Sequence, residues 1–286
     1  MSSSGPSSSV KLASGQRPEL AIIGGSGLCS FPELNPIEKV DVVTPYGPTS
    51  DQILIGEHAR KVVAFLPRHG EKHNWPPHRV PYKANLWALK EIGVRHIVAT
   101  CIAGSLQEKL VPGSLVVLDQ FVNLTWGRDD HFDTDHSFLH LPMANPYCTE
   151  MRMLLIELAR RIPLAITPTG TVAVIQGPRF STRAESEWLA KNGWDLVNMT
   201  QYPECYFARE LGLCYGAVAA ITDYDVGVSK ALNMDFTDTS NREAVLAVFR
   251  DDIARTKQLL LGFIELMFGR MQCRCAETSI KAYFEG

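Results

Sequence analysis

The chain has 286 residues, of which 45% are hydrophobic and 21% charged, and its formal net charge is −3. Such a length can bury a substantial core, and a charge so near neutrality argues against nucleic acid or an anionic membrane surface as the main partner. No apolar run approaches the roughly 18 residues that a membrane span needs, so we expect no membrane anchoring.

The N-terminal residues 1–17 are rich in serine and contain no apolar stretch of the kind found in secretory signals. We therefore expect residues 1–17 to form a disordered tail. Residues 18–268 show no repeat and no internal linker, which predicts one domain. Residues 269–286, which contain Cys273 and Cys275, are expected to form a C-terminal tail.

Short apolar runs alternate with helical patterns from residue 18 to residue 268. This alternation predicts an α/β fold: a single domain with a mixed, mainly parallel central β-sheet flanked by helices. The predicted strands are Glu19–Ile23, Ile53–Ile55, Val62–Leu66, His96–Thr100, Ser114–Leu118, Gly170–Ile175, Asp195–Met199 and Cys214–Thr222. The predicted helices are Tyr82–Ile92, Met151–Arg161, one that begins at Thr182, Pro203–Leu211 and a long one at about Ser240–Phe268.

Local signals mark several helix ends. Pro81 stands at the start of the first predicted helix and Gly93 at its end, which are favourable positions for these residues. The segments Thr182–Glu185 and Ser240–Glu243 both fit the capping box, in which Ser or Thr and Glu bind each other's unpaired backbone amides.

In parallel sheets ligands bind beyond the carboxyl ends of the strands, so the residues that follow each predicted strand are candidates for a site. These segments include glycine and hydroxyl groups, one basic pair, one aromatic side chain and two acidic side chains. They are Gly24-Gly-Ser-Gly27, Arg68-His-Gly70, Cys101-Ile-Ala-Gly104, Gln176-Gly-Pro-Arg-Phe180, Asn198-Met-Thr200 and Asp223-Tyr-Asp225.

The Arg68-His69 pair predicts an oxyanion site, because a guanidinium binds oxyanions in a fork and an imidazole can share a proton. The glycine loop alone is weak evidence, since it lacks the third glycine of a dinucleotide fingerprint and the Gly-Lys-Ser/Thr ending of a P-loop. Beside Arg68, its amides and the Ser26 hydroxyl become plausible phosphate donors. By itself His69 is equally compatible with a core histidine.

The Asp223-Tyr224-Asp225 segment suggests a pocket for a heterocycle. A carboxylate accepts hydrogen bonds from an exocyclic amine, a protonated carboxyl donates to a ring nitrogen, and burial raises the pKa of an Asp towards that second role. The alternative is an ordinary turn or helix cap. Phe180 is placed to stack on such a ring.

The seven cysteines are an odd number, and most lie beside apolar segments, which is typical of reduced thiols in a cytoplasmic protein. Cys273 and Cys275 provide only two ligands at a spacing tighter than the usual zinc pair. We therefore expect no metal site, and interpret the pair as a surface feature or a local redox pair.

Several long motifs in the order of the chain closely resemble the purine nucleoside phosphorylases of the trimeric class, and within it the branch acting on S-methyl-5′-thioadenosine. They are IIGGSG, TPYGPTSD, RHGEKH, PYKANLWALKEIG, IQGPRFSTRAES, NMTQYPE and TDYD. The resemblance implies that phosphate contacts Ser26, Arg68, His69, Cys101, Ile102 and Thr200. It implies that the nucleoside contacts Phe180, Ser181, Met199, Asp223 and Asp225, with Asp223 and His69 catalytic and His140 reaching a neighbouring subunit's pocket.

The reaction implied by this resemblance is the reversible phosphorolysis of S-methyl-5′-thioadenosine to adenine and 5-methylthioribose 1-phosphate. Phosphate is then a co-substrate, no cofactor is required, and the assembly is a homotrimer. Three features depart from the expected pattern. Cys101 replaces a hydroxyl donor by a weaker thiol, Thr200-Gln201-Tyr202 brings bulkier groups beside the ribose, and Val226–Thr239 matches nothing securely. The Cys-x-Cys pair also resembles one that forms a disulfide in some members.

Three other functions stay open at this point. A 6-oxopurine nucleoside or methylthioinosine phosphorylase is the main alternative, although Asp223 and Asp225 would face a carbonyl without a donor. A phosphate-independent nucleosidase leaves Arg68 and His69 without a role. An inactive nucleoside-binding subunit does not explain why these side chains are all present.

Overall fold

A mixed sheet of 11 strands forms the centre of the computed structural model, which describes residues 10–132, 140–162, 165–231 and 242–280. Its strands are β1 Leu20–Gly24, β2 Asn35–Val40, β3 Ile53–His58, β4 Lys61–Pro67, β5 His96–Ser105, β6 Leu115–Val117, β7 Gln120–Leu124, β8 Ile166–Thr167, β9 Thr171–Ile175, β10 Leu196–Asn198 and β11 Cys214–Tyr224. The helices are α1 Tyr82–Glu91, α2 Thr149–Arg161, α3 Arg183–Lys191, α4 Gln201–Glu210, α5 Val226–Ala231, α6 Arg242–Met267 and α7 Cys275–Ile280.

The sheet runs in the order β2-β3-β4-β1-β5-β10-β9-β7, and β11 pairs with β5 and β6. Strands β4, β1, β5 and β11 are parallel, so their carboxyl ends meet at one edge. Among the named strands, the antiparallel pairs are β2 with β3, β3 with β4, β5 with β10, and β6 with β11. The predicted fold, a mixed and mainly parallel sheet, is confirmed.

Helices cover both faces of the sheet, which explains why its central strands are buried throughout. Along β1, Ala21 and Ile23 join one apolar cluster with residues of α1 and α4. The alternate residues Leu20 and Ile22 join a second cluster with residues of α2 and α6. This alternation follows from the two-residue period of a strand, and it yields three layers.

Strand β5 extends five residues beyond its predicted end and includes the whole Cys101-Ile-Ala-Gly104 segment, for which we expected a loop. The prediction was wrong because small and polar side chains resemble a loop in sequence. The backbone of this stretch is instead paired with β11 from Cys101 to Gly104, and Gly104 is also paired with β10. The segment therefore presents a rigid strand to the site.

The helix-end signals are confirmed where the structure describes them. Thr182 and Glu185 form both bonds of a capping box at the start of α3. Gly93 follows the last turn of α1 with φ +109°, a backbone conformation that other residues rarely adopt. The second predicted box begins at Ser240, outside the described residues.

Both predicted tails contain ordered residues. Leu12 is buried against the domain, and the backbone amide of Ala13 donates to a carboxylate oxygen of Glu38 at 3.0 Å. At the other end, helix α7 lies within the segment 269–286. No helix in the described ranges is both long and apolar enough to cross a membrane.

Candidate functional site

A cavity of about 820 Å³ lies at the edge where the parallel strands end. It brings together eleven of the twelve residues that the sequence analysis named for the site. They are Ser26, Arg68, His69, Cys101, Ile102, Phe180, Ser181, Met199, Thr200, Asp223 and Asp225. His140, the twelfth, is exposed and does not line this cavity, so its contact with a neighbouring subunit stays a prediction.

The glycine loop after β1 places Ser26 at one end of the cavity. The Gly25 amide donates to Thr100 Oγ1 at 3.1 Å, which holds the loop against β5. A Cβ on Gly25 would lie 2.5 Å from the Thr100 carbonyl oxygen and 2.9 Å from Arg68 Nη1. Only glycine allows this approach, so the loop brings its backbone next to the Arg68 guanidinium.

Arg68, directly after β4, is completely buried and forms a bidentate ion pair with Glu204 of α4. Its Nε and Nη2 donate to the two carboxylate oxygens at 2.6 and 2.7 Å, and Nη1 donates to the Thr100 carbonyl at 2.7 Å. Glu204 therefore occupies the Nε–Nη2 edge of the guanidinium, so the expected contact with an oxyanion is limited to the N–H groups that remain. One N–H on Nη1 and one on Nη2 remain for an anion.

The His69 imidazole is neutral and has a fixed tautomer. Burial and the neighbouring Arg68 charge lower its pKa to about 4. Nδ1 lies 2.8 Å from the Trp75 carbonyl oxygen, an acceptor, so Nδ1 carries the proton. Nε2 is consequently a hydrogen-bond acceptor, suited to a protonated phosphate oxygen or a sugar hydroxyl.

Thr200 and Cys101 complete this end of the cavity. Asn198 Nδ2 donates to Thr200 Oγ1 at 3.4 Å, which leaves the hydroxyl hydrogen to donate elsewhere. Burial raises the pKa of the Cys101 thiol to about 12, so it stays protonated and is at most a weak donor. The donors here are mostly neutral groups, and the one buried cation is balanced by Glu204.

At the other end of the cavity, Asp223 projects from the carboxyl end of β11. A register shift between Ile221 and Asp223 interrupts the pairing with β5, and such bulges re-aim side chains beside sites. Thr222 Oγ1 donates to Asp223 Oδ1 at 2.7 Å. Burial, reinforced by the nearby Asp225, raises the pKa of Asp223 and so favours its protonated form.

Aromatic and hydroxyl groups flank the carboxyl pair. Phe180 is 81% exposed, so the face of its ring is accessible to a stacking partner. Ser181 Oγ is buried and has no hydrogen-bond partner among the described residues. Both side chains border the cavity, as does Met199, but their predicted contacts with a base and a ribose stay predictions.

Three groups that orient the predicted site side chains were not themselves predicted from the sequence. Glu204 was quoted within the NMTQYPE motif without a role, although a glutamate in an otherwise apolar helix face is a signal of a buried pair. The Trp75 carbonyl, which sets the His69 tautomer, carries no such signal, because any residue has a carbonyl. The Thr222 hydroxyl could have been inferred from its place beside Asp223.

Comparisons with known proteins agree with this geometry. Residues 19–265 match the model of the Phosphorylase superfamily. An S-methyl-5′-thioadenosine phosphorylase of Mycolicibacterium smegmatis is 46% identical, and the match covers 89% of this chain and 93% of that protein. A purine nucleoside phosphorylase of Streptomyces coelicolor is 40% identical, and the match covers 92% of this chain and 95% of that protein.

A solved structure is similar over the same range. Methylthioadenosine phosphorylase from Schistosoma mansoni in complex with tubercidin superposes with a TM-score of 0.83 at 35% identity, and the match covers 93% of this chain and 98% of that one. Because both the family match and these relatives span nearly the whole chain, the protein belongs to the phosphorylase superfamily.

Proposed function

We propose that the protein catalyses the reversible phosphorolysis of S-methyl-5′-thioadenosine, giving adenine and 5-methylthioribose 1-phosphate. One observation carries the proposal: a single cavity holds oxyanion donors at one end and a protonatable carboxyl pair at the other. Relatives from several organisms that are 38–46% identical to this chain are named S-methyl-5′-thioadenosine phosphorylase. This activity makes the protein a glycosyltransferase of purine salvage.

Phosphate acts as the nucleophile at the Arg68 end. Ser26 and Thr200 donate from their hydroxyls, and Arg68 donates from the two N–H groups that Glu204 and the Thr100 carbonyl leave. His69 Nε2 accepts the hydrogen of a protonated phosphate oxygen, which orients the ion and keeps an unprotonated oxygen for attack. Bound phosphate then stabilises the cationic character that the sugar acquires in the transition state.

Asp223 receives the leaving group. The bond from the sugar to N9 breaks, a bond from the sugar to a phosphate oxygen forms, and Asp223 supplies the proton for N7. A protonated carboxyl presents one donor and one acceptor side by side. This pattern matches N7 and the 6-amino group of adenine, whereas a 6-oxopurine presents two acceptors.

Three further attributes belong to the proposal. No cofactor takes part in the reaction, because the protein's own donors and the Asp223 proton supply the charge compensation that it needs. The assembly is a homotrimer, supported by the resemblance to the trimeric class and by the position of His140 outside its own cavity. The location is cytoplasmic, supported by the many buried cysteines.

A substrate panel tests the choice of nucleoside. S-methyl-5′-thioadenosine, methylthioinosine, inosine and guanosine are each incubated with phosphate, and the released base is measured by chromatography. We expect S-methyl-5′-thioadenosine to exceed inosine in kcat/KM by about 10⁴-fold, the discrimination reached when a buried polar group is left unpaired. Fast inosine turnover with inert S-methyl-5′-thioadenosine would instead favour the function named for the Streptomyces coelicolor relative.

A further inference from the structure

Four cysteine thiols converge at the amino end of β11, whereas the candidate site lies at the carboxyl end of that strand. Cys148 is the N-cap of α2, and Cys214 begins β11. Cys273 lies between α6 and α7, and Cys275 is the first residue of α7. The four sulfur atoms all lie within 4.8 Å of one another, and Cys148 and Cys214 are buried. Among the described residues this is the one such cluster of potential metal ligands.

The geometry suits a tetrahedral thiolate site. Four sulfurs bound to zinc at about 2.3 Å stand about 3.8 Å from one another, within the observed spread. The sulfurs of Cys214 and Cys273 are 2.8 Å apart, which exceeds the roughly 2.05 Å of a disulfide. Cys273 lies in an irregular segment, so a shift of about 1 Å there would complete the tetrahedron.

Rigid elements fix the two buried ligands. The Cys148 amide donates to the Tyr215 carbonyl, and the Cys214 amide donates to the Arg95 carbonyl, both within hydrogen-bond distance. The other two ligands come from a Cys-x-Cys segment whose neighbours already dock on α2. There the Gln272 amide donates to a Glu150 carboxylate oxygen at 2.7 Å.

The surroundings balance the charge of such a site. A metal ion of charge +2 with four thiolates has a net charge of −2, which is costly to bury without cations. Beside the cluster runs an open groove that Cys214 and Cys273 help to line. Its charged side chains are the cations Arg17, Lys90 and Arg95 and one carboxylate, Glu19. The groove supplies positive charge and a path by which an ion can enter.

We propose that Cys148, Cys214, Cys273 and Cys275 bind one structural zinc ion. Binding converts the thiols to thiolates, releases their four protons and forms four Zn–S bonds with no change of oxidation state. The site would join the C-terminal segment to the starts of α2 and β11. Our expectation from sequence that no metal binds counted only two ligands, because Cys148 and Cys214 are far from the pair along the chain.

The test is the metal content of the full-length protein, expressed without a histidine tag and purified without chelator. We expect one zinc per chain, and sulfur-to-cobalt charge-transfer bands after exchange with Co²⁺. The double variant Cys273→Ser, Cys275→Ser should retain less than about a tenth of an equivalent. The matched control Cys29→Ser, which changes a cysteine outside the cluster, should keep its zinc.

Three results would overturn the proposal. The first is wild-type protein that neither contains zinc nor binds it when zinc is added under reducing conditions. The second is peptide mapping that finds the four sulfurs paired as disulfides after anaerobic purification. The third is one equivalent of iron in place of zinc. The wild-type measurements do not depend on whether the double variant folds.

Discussion

Asp223 shows how the environment of one residue suits it for a chemical step. An exposed aspartate is ionised at neutral pH and cannot donate a proton to N7. Burial at the end of β11 and the neighbouring Asp225 both raise its pKa. The acid form therefore persists to higher pH than in an ordinary Asp, and it is lost as the pH rises through the raised pKa.

We expect Asp223→Asn to lower kcat for S-methyl-5′-thioadenosine at least ~100-fold, because an amide cannot transfer a proton to the leaving base. The pH profile of the wild type should fall on its alkaline side, and the variant should lose that limb. Steady-state kinetics across pH check both effects. Asp41→Asn, an exposed change outside the cavity, is the control, and wild-type kinetics in Asp223→Asn would remove Asp223 from the mechanism.

Arg68 marks the limit of what a residue pattern reveals. The sequence predicted that Arg68 and His69 lie together at a strand end, and the structure confirms that position. The sequence could not reveal that Glu204, 136 positions away, accepts hydrogen bonds from Nε and Nη2 of Arg68. That pairing depends on how α4 packs against the sheet, which no local pattern encodes.

At the scale of elements, the Arg68–Glu204 pair joins β4 to α4. Both side chains are almost completely buried, and Tyr215 of β11 also donates to Glu204 Oε1, at 2.7 Å. Three elements thus meet at one carboxylate. Removing one partner of a buried pair leaves an uncompensated charge, which costs far more than the loss of a surface pair.

We therefore expect Glu204→Gln to lower the free energy of unfolding by about 3–5 kcal/mol, since Arg68 stays charged and buried. Denaturant unfolding at pH 7 provides the measurement. Glu71→Gln, which removes the exposed ion pair with Lys39, should cost no more than ~1 kcal/mol. Equal costs for the two variants would show that the buried pair contributes no more than the surface one.

Four of the elements that were not predicted from the sequence have weak hydrophobic patterns. Strand β2 has no buried residue and carries Asn, Pro, Glu and Lys, so it is recognisable only through its pairing with β3. Strand β8 has two residues, and helices α5 and α7 have six each, too short for a periodic signal. The buried strands β1, β4 and β11 were predicted because their apolar runs are continuous.

For the whole molecule, the parallel sheet connects two chemically different groups of residues that are distant in sequence. Strands β1 and β4 end in the oxyanion donors, while β11 ends in the carboxyl pair, and β5 lies between them. This common edge was predictable from the alternation of strands and helices. In the proposed reaction, phosphate bound at one end attacks a nucleoside whose base is held at the other.

The most direct test follows the fate of the sugar by NMR, with S-methyl-5′-thioadenosine supplied in phosphate and in phosphate-free buffer. Phosphorus spectra report 5-methylthioribose 1-phosphate, and proton spectra report free 5-methylthioribose and adenine. We expect 5-methylthioribose 1-phosphate to appear in step with adenine when phosphate is present. Without phosphate, adenine release should fall at least ~100-fold, because the nucleophile is missing. Free 5-methylthioribose released at the same rate in both buffers would contradict the account.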